Sequence, residues 1–170
     1  SVGIAVLERL CAEEQLLVKE IATKGEYLWE RVQTLRNNYP AVVKEVRGLG
    51  LLVGIEFWSM QDNGSYDMAY MEEQGGFTAL LAGFLLNVYQ IRLAPFLNNS
   101  MTLRLEPTLT ITYEEIDRVL EALEVICQLL NYRDYASLYR YLIGDQRRPR
   151  MINDYRPVSR KVKASQLEPG

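Results

Sequence analysis

The chain is 170 residues long, 48% hydrophobic and 24% charged, with a formal net charge of −3. Such a composition excludes a disordered or fibrous polypeptide, suits one globular domain of ordinary size with an appendage, and selects no particular charged partner. Histidine is absent, which removes the commonest general base and leaves no credible zinc or iron site.

The two cysteines, Cys11 and Cys127, fall in helical patterns without motif spacing and read as buried thiols in a reducing, cytoplasmic compartment. No signal peptide or membrane span is visible. The longest apolar run, Ala79 to Leu86 broken by Gly83, is far too short to cross a bilayer. Ser1 stands where an initiator methionine would be, and helical periodicity is already running at Val2 with no N-cap before it. The chain is therefore expected to be a piece of a longer protein.

In chain order, Val2, Ala5, Val6, Leu7, Leu10 and Cys11 repeat at helical spacing over more than one face, which predicts a well-buried first helix. A second helix is expected over 14–38, with its apolar stripe at Leu17, Ile21, Gly25, Leu28, Val32 and Leu35. Glu20 and Lys24 form an i,i+4 pair assigned to its wet side. Gly25 lies on the stripe, where a missing side chain either lets another element approach closely or is simply tolerated. Tyr39-Pro40 ends the helix.

Val42 to Arg47 and Leu51 to Trp58 then read as two strands joined by a tight reversal at Gly48-Leu49-Gly50. Leu51, Val53, Ile55 and Phe57 share one face, and Gly54 on the other suggests a close backbone or ligand approach. Residues 59–76 form a polar loop with a short helical turn at Asp67–Glu73. Phe77 to Tyr89 is an almost uncharged helix, Ile91 to Pro95 a strand, and Phe96 to Ser100 a turn.

The stretch TLRLEPTLTI, Thr102 to Ile111, is the most informative. Leu103 and Leu105 alternate with Thr102, Arg104 and Glu106, the period of a strand with one buried face. Pro107 stops it, having no N–H for a ladder. Arg104 is thus held on a short, rigid strand between apolar neighbours. Its guanidinium suits a carboxylate or phosphate gripped by two parallel hydrogen bonds, or an internal Asp or Glu. Thr112 and Glu115 spell a capping box for the next helix, whose inner face is Ile116, Val119, Leu120, Leu123, Cys127 and Leu130. A further helical pattern covers 132–143. Residues 145–170 carry seven Lys/Arg against three Asp/Glu and half of the six prolines, and read as a linker or arm too poor in apolar residues to fold alone. Its basic charges are sparse and interrupted, so nucleic acid is not the expected partner.

Three blocks in register, GEYLWERVQTL with its following YP, then EVRGLGLLVGIEF, then TLRLEPTLTIT and the capped helix, resemble the C-terminal small domain of class III (ω-type) pyridoxal-phosphate aminotransferases of fold type I. The resemblance covers about residues 1–130. It implies an α+β fold, a small antiparallel sheet of three to four strands covered by helices. Residues 131–144 would form a helical extension and 145–170 the arm. It also implies that Arg104 holds a substrate carboxylate, with Glu106 and Arg47 as weaker, structural candidates. The full-length enzyme would use pyridoxal phosphate, carry a large domain upstream, act as a homodimer on amino-acid or keto-acid substrates, and orient them for a cofactor that does the electronic work.

The cofactor-anchoring lysine, the phosphate contacts and the pyridine-nitrogen partner of that family fall upstream of this chain. Its five lysines are Lys19 and Lys24 on a helix surface, Lys44 in a strand, and Lys161 and Lys163 in the arm. None is assigned a catalytic or cofactor-binding role, and the isolated fragment is expected to be inactive and to bind no cofactor. The apolar helix FTALLAGFLLNVYQ departs from the charged helix usual in the family; it reads as a core helix, a hydrophobic substrate wall or a docking surface. A non-catalytic dimerisation or scaffold domain within a multidomain protein is the alternative.

Overall fold

A computed structural model describes residues 2–11, 16–62, 64–95 and 99–150. Its elements are α1 (Val2–Cys11), α2 (Leu16–Asn38), β1 (Val43–Leu49), β2 (Leu52–Phe57), α3 (Tyr66–Glu73), α4 (Phe77–Tyr89), β3 (Ala94–Pro95), β4 (Thr102–Leu105), α5 (Tyr113–Tyr132) and α6 (Tyr135–Tyr139), the last running into a 3-10 turn at Arg140–Ile143. The fold is α+β. Its four strands make one antiparallel sheet in the order β1-β2-β4-β3.

The alternation read from the sequence decides which face is covered. Val53, Ile55, Phe57, Leu103 and Leu105 are at most 3% exposed. They meet α2, which lies against β1, α4, which lies against β3, and α5 between them. Leu28, Val32 and Leu35 bring the α2 stripe into this core, and Ile116, Leu120, Leu123 and Ile126 bring that of α5. Burying side chains of this size contributes about 1.5–3 kcal/mol each. Tyr39 closes the end of α2: its ring is buried and its hydroxyl donates to Glu124 Oε1 at 3.2 Å. Burial pushes the Tyr39 hydroxyl far above its ordinary pKa.

Local signals behaved as elementary capping and steric rules require. Thr112 Oγ1 accepts from Glu115 N, and Glu115 Oε2 accepts from Thr112 N at 2.8 Å, a complete capping box. Gly25 is where α2 meets the β1–β2 hairpin; a Cβ there would lie 2.7 Å from Gly50 Cα. The close-approach reading of this glycine holds.

Several expectations need correction. α1 is helical, but Val2, Gly3, Ile4 and Ala5 are exposed, and so is Cys11; only Cys127 is a buried thiol. Periodicity fixes which residues share a helix face, not whether another element covers it. Lys24 is not on the wet side. It pairs with Glu20 at 2.5 Å as expected, yet its side chain is 8% exposed. The Gly25–Gly50 contact draws this turn of α2 onto the fold, and the Lys24 ammonium lies 6.0 Å from the centre of the Tyr113 ring. The expected strand at 91–95 shrinks to two residues, because the left-handed Gln90 (φ 59°) turns the chain and Pro95 has no N–H to extend a ladder. The expected turn at 96–98 and the arm from 151 onward lie outside the described residues.

Candidate functional site

β4 lies inside the sheet, paired with β2 on one side and β3 on the other. The register sets Arg104 opposite Gly54 of β2 and Ala94 of β3, and sets Arg47 opposite Gly54 from β1. A row Arg47–Gly54–Arg104–Ala94 therefore crosses the sheet on the face turned away from the helices. Arg104 is the one long side chain in the centre of that row. Its immediate neighbours are a glycine and an alanine, so nothing bulky stands beside its stem.

The Arg104 side chain is 42% exposed, and its Nε lies 2.8 Å from Glu106 Oε1. Glu106 is two residues on, just past the strand end, so it shares the Arg104 side of the chain. The internal carboxylate weighed in the sequence reading is thus Glu106, itself 40% exposed. An ion pair this accessible is worth about 0–1 kcal/mol.

On the same face, Glu56 is the buried anion. It is 8% exposed, accepts from Lys44 Nζ at 2.6 Å and lies 2.8 Å from Arg47 Nη2. Arg47 Nη1 also donates to Glu45 Oε2 at 2.9 Å. The Lys44 hydrogen bond, supported by Arg47 and opposed by burial, holds the Glu56 carboxyl below its ordinary pKa. Arg47 is thereby paired twice within its own chain. Sequence reasoning did not single out Glu56 or Lys44. The signal was a lone acid in an apolar strand, but naming its partners requires the β1–β2 register.

Gly54 has room to spare. A Cβ there would sit 3.4 Å from Thr102 Cγ2 and 3.7 Å from Arg47 O, ordinary contacts. Among the described residues no close backbone approach calls for glycine at 54. Beyond the end of β4 a cleft of about 280 Å³ opens on the helix side, walled by Leu28, Ile91, Leu105 and Ile116, with the exposed Arg92 and Glu106 among its lining. Glu106 thus stands between that cleft and Arg104.

Lys44 is clamped to Glu56, Lys24 is paired with Glu20, Lys19 is exposed on α2, and Lys161 and Lys163 lie outside the described residues. Among the described residues no group of three His, Cys, Asp or Glu is gathered as a metal site, and no helix is long and apolar enough to cross a membrane.

A family model described as "Aminotransferase class-III" matches residues 1–127. The chain is 33% identical over 132 residues to a putrescine aminotransferase of Pectobacterium atrosepticum, covering 75% of this chain and 25% of that protein. It is 29% identical over 123 residues to an uncharacterised aminotransferase of Schizosaccharomyces pombe, covering 72% and 24%. Among solved structures, the adenosylmethionine-8-amino-7-oxononanoate aminotransferase of Methanocaldococcus jannaschii matches with a TM-score of 0.55 and 26% identity, over 74% of this chain and 26% of that one. The chain spans about a quarter of the length of the curated relatives it matches.

Proposed function

This chain belongs to the class III aminotransferase family, and from that premise we propose that it is the substrate-facing small domain of an enzyme that moves an amino group between an amino donor and a keto or aldehyde acceptor. Pyridoxal phosphate, the cofactor implied by the family, would supply the electron sink, and the residues that hold it would belong to the rest of the protein. The part played by this chain is to bind and orient. In that reading the whole enzyme is a cytoplasmic homodimer, the arrangement that the family resemblance implies, and this domain by itself is inactive.

The observation that carries the assignment is the setting of Arg104. Its guanidinium rises from the middle of a rigid sheet, between Gly54 and Ala94, on the face that the helices leave uncovered. A carboxylate approaching it finds a planar fork of donors and an open floor beside it. Glu106 Oε1 lies 2.8 Å from Nε, beside the guanidinium. Holding one end of the substrate in this way fixes which carbon is presented for reaction, a positioning contribution.

Arg104→Ala and Arg104→Lys in the full-length enzyme test this. The Arg104–Glu106 pair is exposed enough that its loss should cost the fold no more than about 1 kcal/mol. The loss of a desolvated carboxylate contact in the substrate complex should cost about 2–5 kcal/mol in kcat/KM. Lysine should recover only part of it, keeping the charge and losing the two-point grip. If both variants keep kcat/KM for every carboxylate-bearing substrate tried, Arg104 is a structural residue.

A further inference from the structure

α4 poses a packing problem. It has 13 residues, none charged, and nine are buried: Phe77, Thr78, Leu80, Leu81, Ala82, Phe84, Leu85, Val88 and Tyr89. β3, α3 and α5 cover only part of such a helix; one that is apolar nearly all round needs a further cover. That cover comes from residues beyond 127, where the family match ends.

α5 ends at Arg133, whose left-handed backbone (φ 59°) reverses the chain. Asp134 then caps α6, accepting from Ser137 N at 3.1 Å. Leu138 is wholly buried, and the Tyr139 hydroxyl lies 3.3 Å from Met68 Sδ on α3. Tyr141 makes the central contact. Its hydroxyl donates to the carbonyl of Leu80 at 3.2 Å, and its ring meets Phe84 edge-on with centroids 6.5 Å apart. Gly83 makes room for it: a Cβ there would overlap the hydroxyl oxygen and come within 2.9 Å of the ring carbon Cζ. Asp145 joins Arg140 and Arg147, and the Arg148 guanidinium stacks 4.9 Å above the Tyr89 ring at the far end of α4.

We propose that residues 134–148 are a docking segment and that the outer face of α4 is its binding groove, with Gly83 as the socket for Tyr141. The groove recognises a short helical segment that presents Leu and Tyr on one side and an Arg after it. In this protein the occupant is the chain's own continuation. When the segment leaves, α4 becomes an exposed apolar surface that rebinds the same segment supplied in trans.

Trypsin reads this in the intact chain, because Arg140, Arg147 and Arg148 lie in the segment. Cleavage follows the population of the opened form, so Tyr141→Ala should speed cutting at Arg140 by about tenfold while leaving cutting at Arg36 unchanged. Gly83→Ala should do the same, although alanine is the better helix former. In the double variant the two effects should not add, because removing the Tyr141 ring removes the clash. A synthetic peptide of residues 133–150 should bind Tyr141→Ala chain and suppress its emission with an apolar-surface dye. It should leave wild-type chain, whose groove is filled, untouched. Unchanged cutting at Arg140 in both single variants would overturn the proposal. So would equal acceleration at Arg36 and Arg140, which would make the segment an inseparable part of the core, and so would additivity in the double variant.

Discussion

Gly25 of α2 and Gly50 of the β1–β2 hairpin touch backbone to backbone; a Cβ on Gly25 would lie 2.7 Å from Gly50 Cα and 2.8 Å from its carbonyl carbon. Gly50 itself is left-handed, with φ +57°. The tip of the hairpin is thereby locked against the long helix, and the sheet bearing Arg104 is held at a set distance from α2. Gly25→Ala should destabilise the chain by about 1–3 kcal/mol, because neither backbone can retreat without moving a whole element. Intrinsic helix propensity alone predicts the opposite sign, a gain of about 1 kcal/mol. Urea unfolding of the two proteins decides between them.

Gly54→Ala separates packing from substrate access. The added methyl makes only ordinary contacts with Thr102 and Arg47. The fold should therefore tolerate it, with a stability change between zero and a gain of about 1 kcal/mol from the reduced freedom of the unfolded chain. In the full-length enzyme the same methyl stands beside Arg104, and KM for carboxylate-bearing substrates should rise. A large loss of stability with unchanged KM would show that Gly54 serves the sheet alone.

Glu56 makes the stability of the chain depend on pH in a definite direction. Its folded pKa is held below the unfolded value, chiefly by Lys44, with Arg47 assisting. Its contribution is therefore fully present above the unfolded carboxylate pKa and is lost as pH falls through the folded one. Glu56→Gln should cost about 1.5–3 kcal/mol at neutral pH, the range for hydrogen bonds to charged groups. The gap between variant and wild type should close as the pH is lowered from the ordinary glutamate range into the acid range below it. A gap that stays constant down to the acid limit would mean that the carboxylate charge is not what Lys44 and Arg47 recognise.

Lys24 is the lysine that burial makes worth testing as an amine nucleophile. Its ammonium is held by Glu20 at 2.5 Å and faces the Tyr113 ring rather than open space. Mixing the chain with pyridoxal phosphate, reducing with borohydride and mapping the peptides should therefore give no stoichiometric label at Lys24. Glu20→Gln should leave that result unchanged. Full labelling of Lys24 in the wild-type chain would reassign the cofactor site to this domain.

What could be read from the residues alone follows from how local each signal is. The stripe Leu28, Val32, Leu35, the alternation of Val53, Ile55, Phe57 and the Thr112–Glu115 capping box each depend on neighbours within a few positions. So their element types and buried faces were legible. The resemblance of the three blocks to the class III aminotransferases was legible for a related reason, since it rests on short runs of residues in order. Arg104 could be singled out as a charge on an apolar strand.

Contacts between distant residues decided the rest. Which side chains flank Arg104 depends on β4 lying between β2 and β3, an order that no single strand's own pattern states. Lys24 and Cys11 were placed wrongly because both lie on helices whose periodicity is clear but whose surroundings are not local: one is covered where Gly25 meets Gly50, the other lies exposed on α1. Tyr141 and Gly83 are 58 positions apart in the numbering, and neither stretch points to the other. Only folding brings ring and socket together, because a missing side chain acquires meaning from what fills the space it leaves.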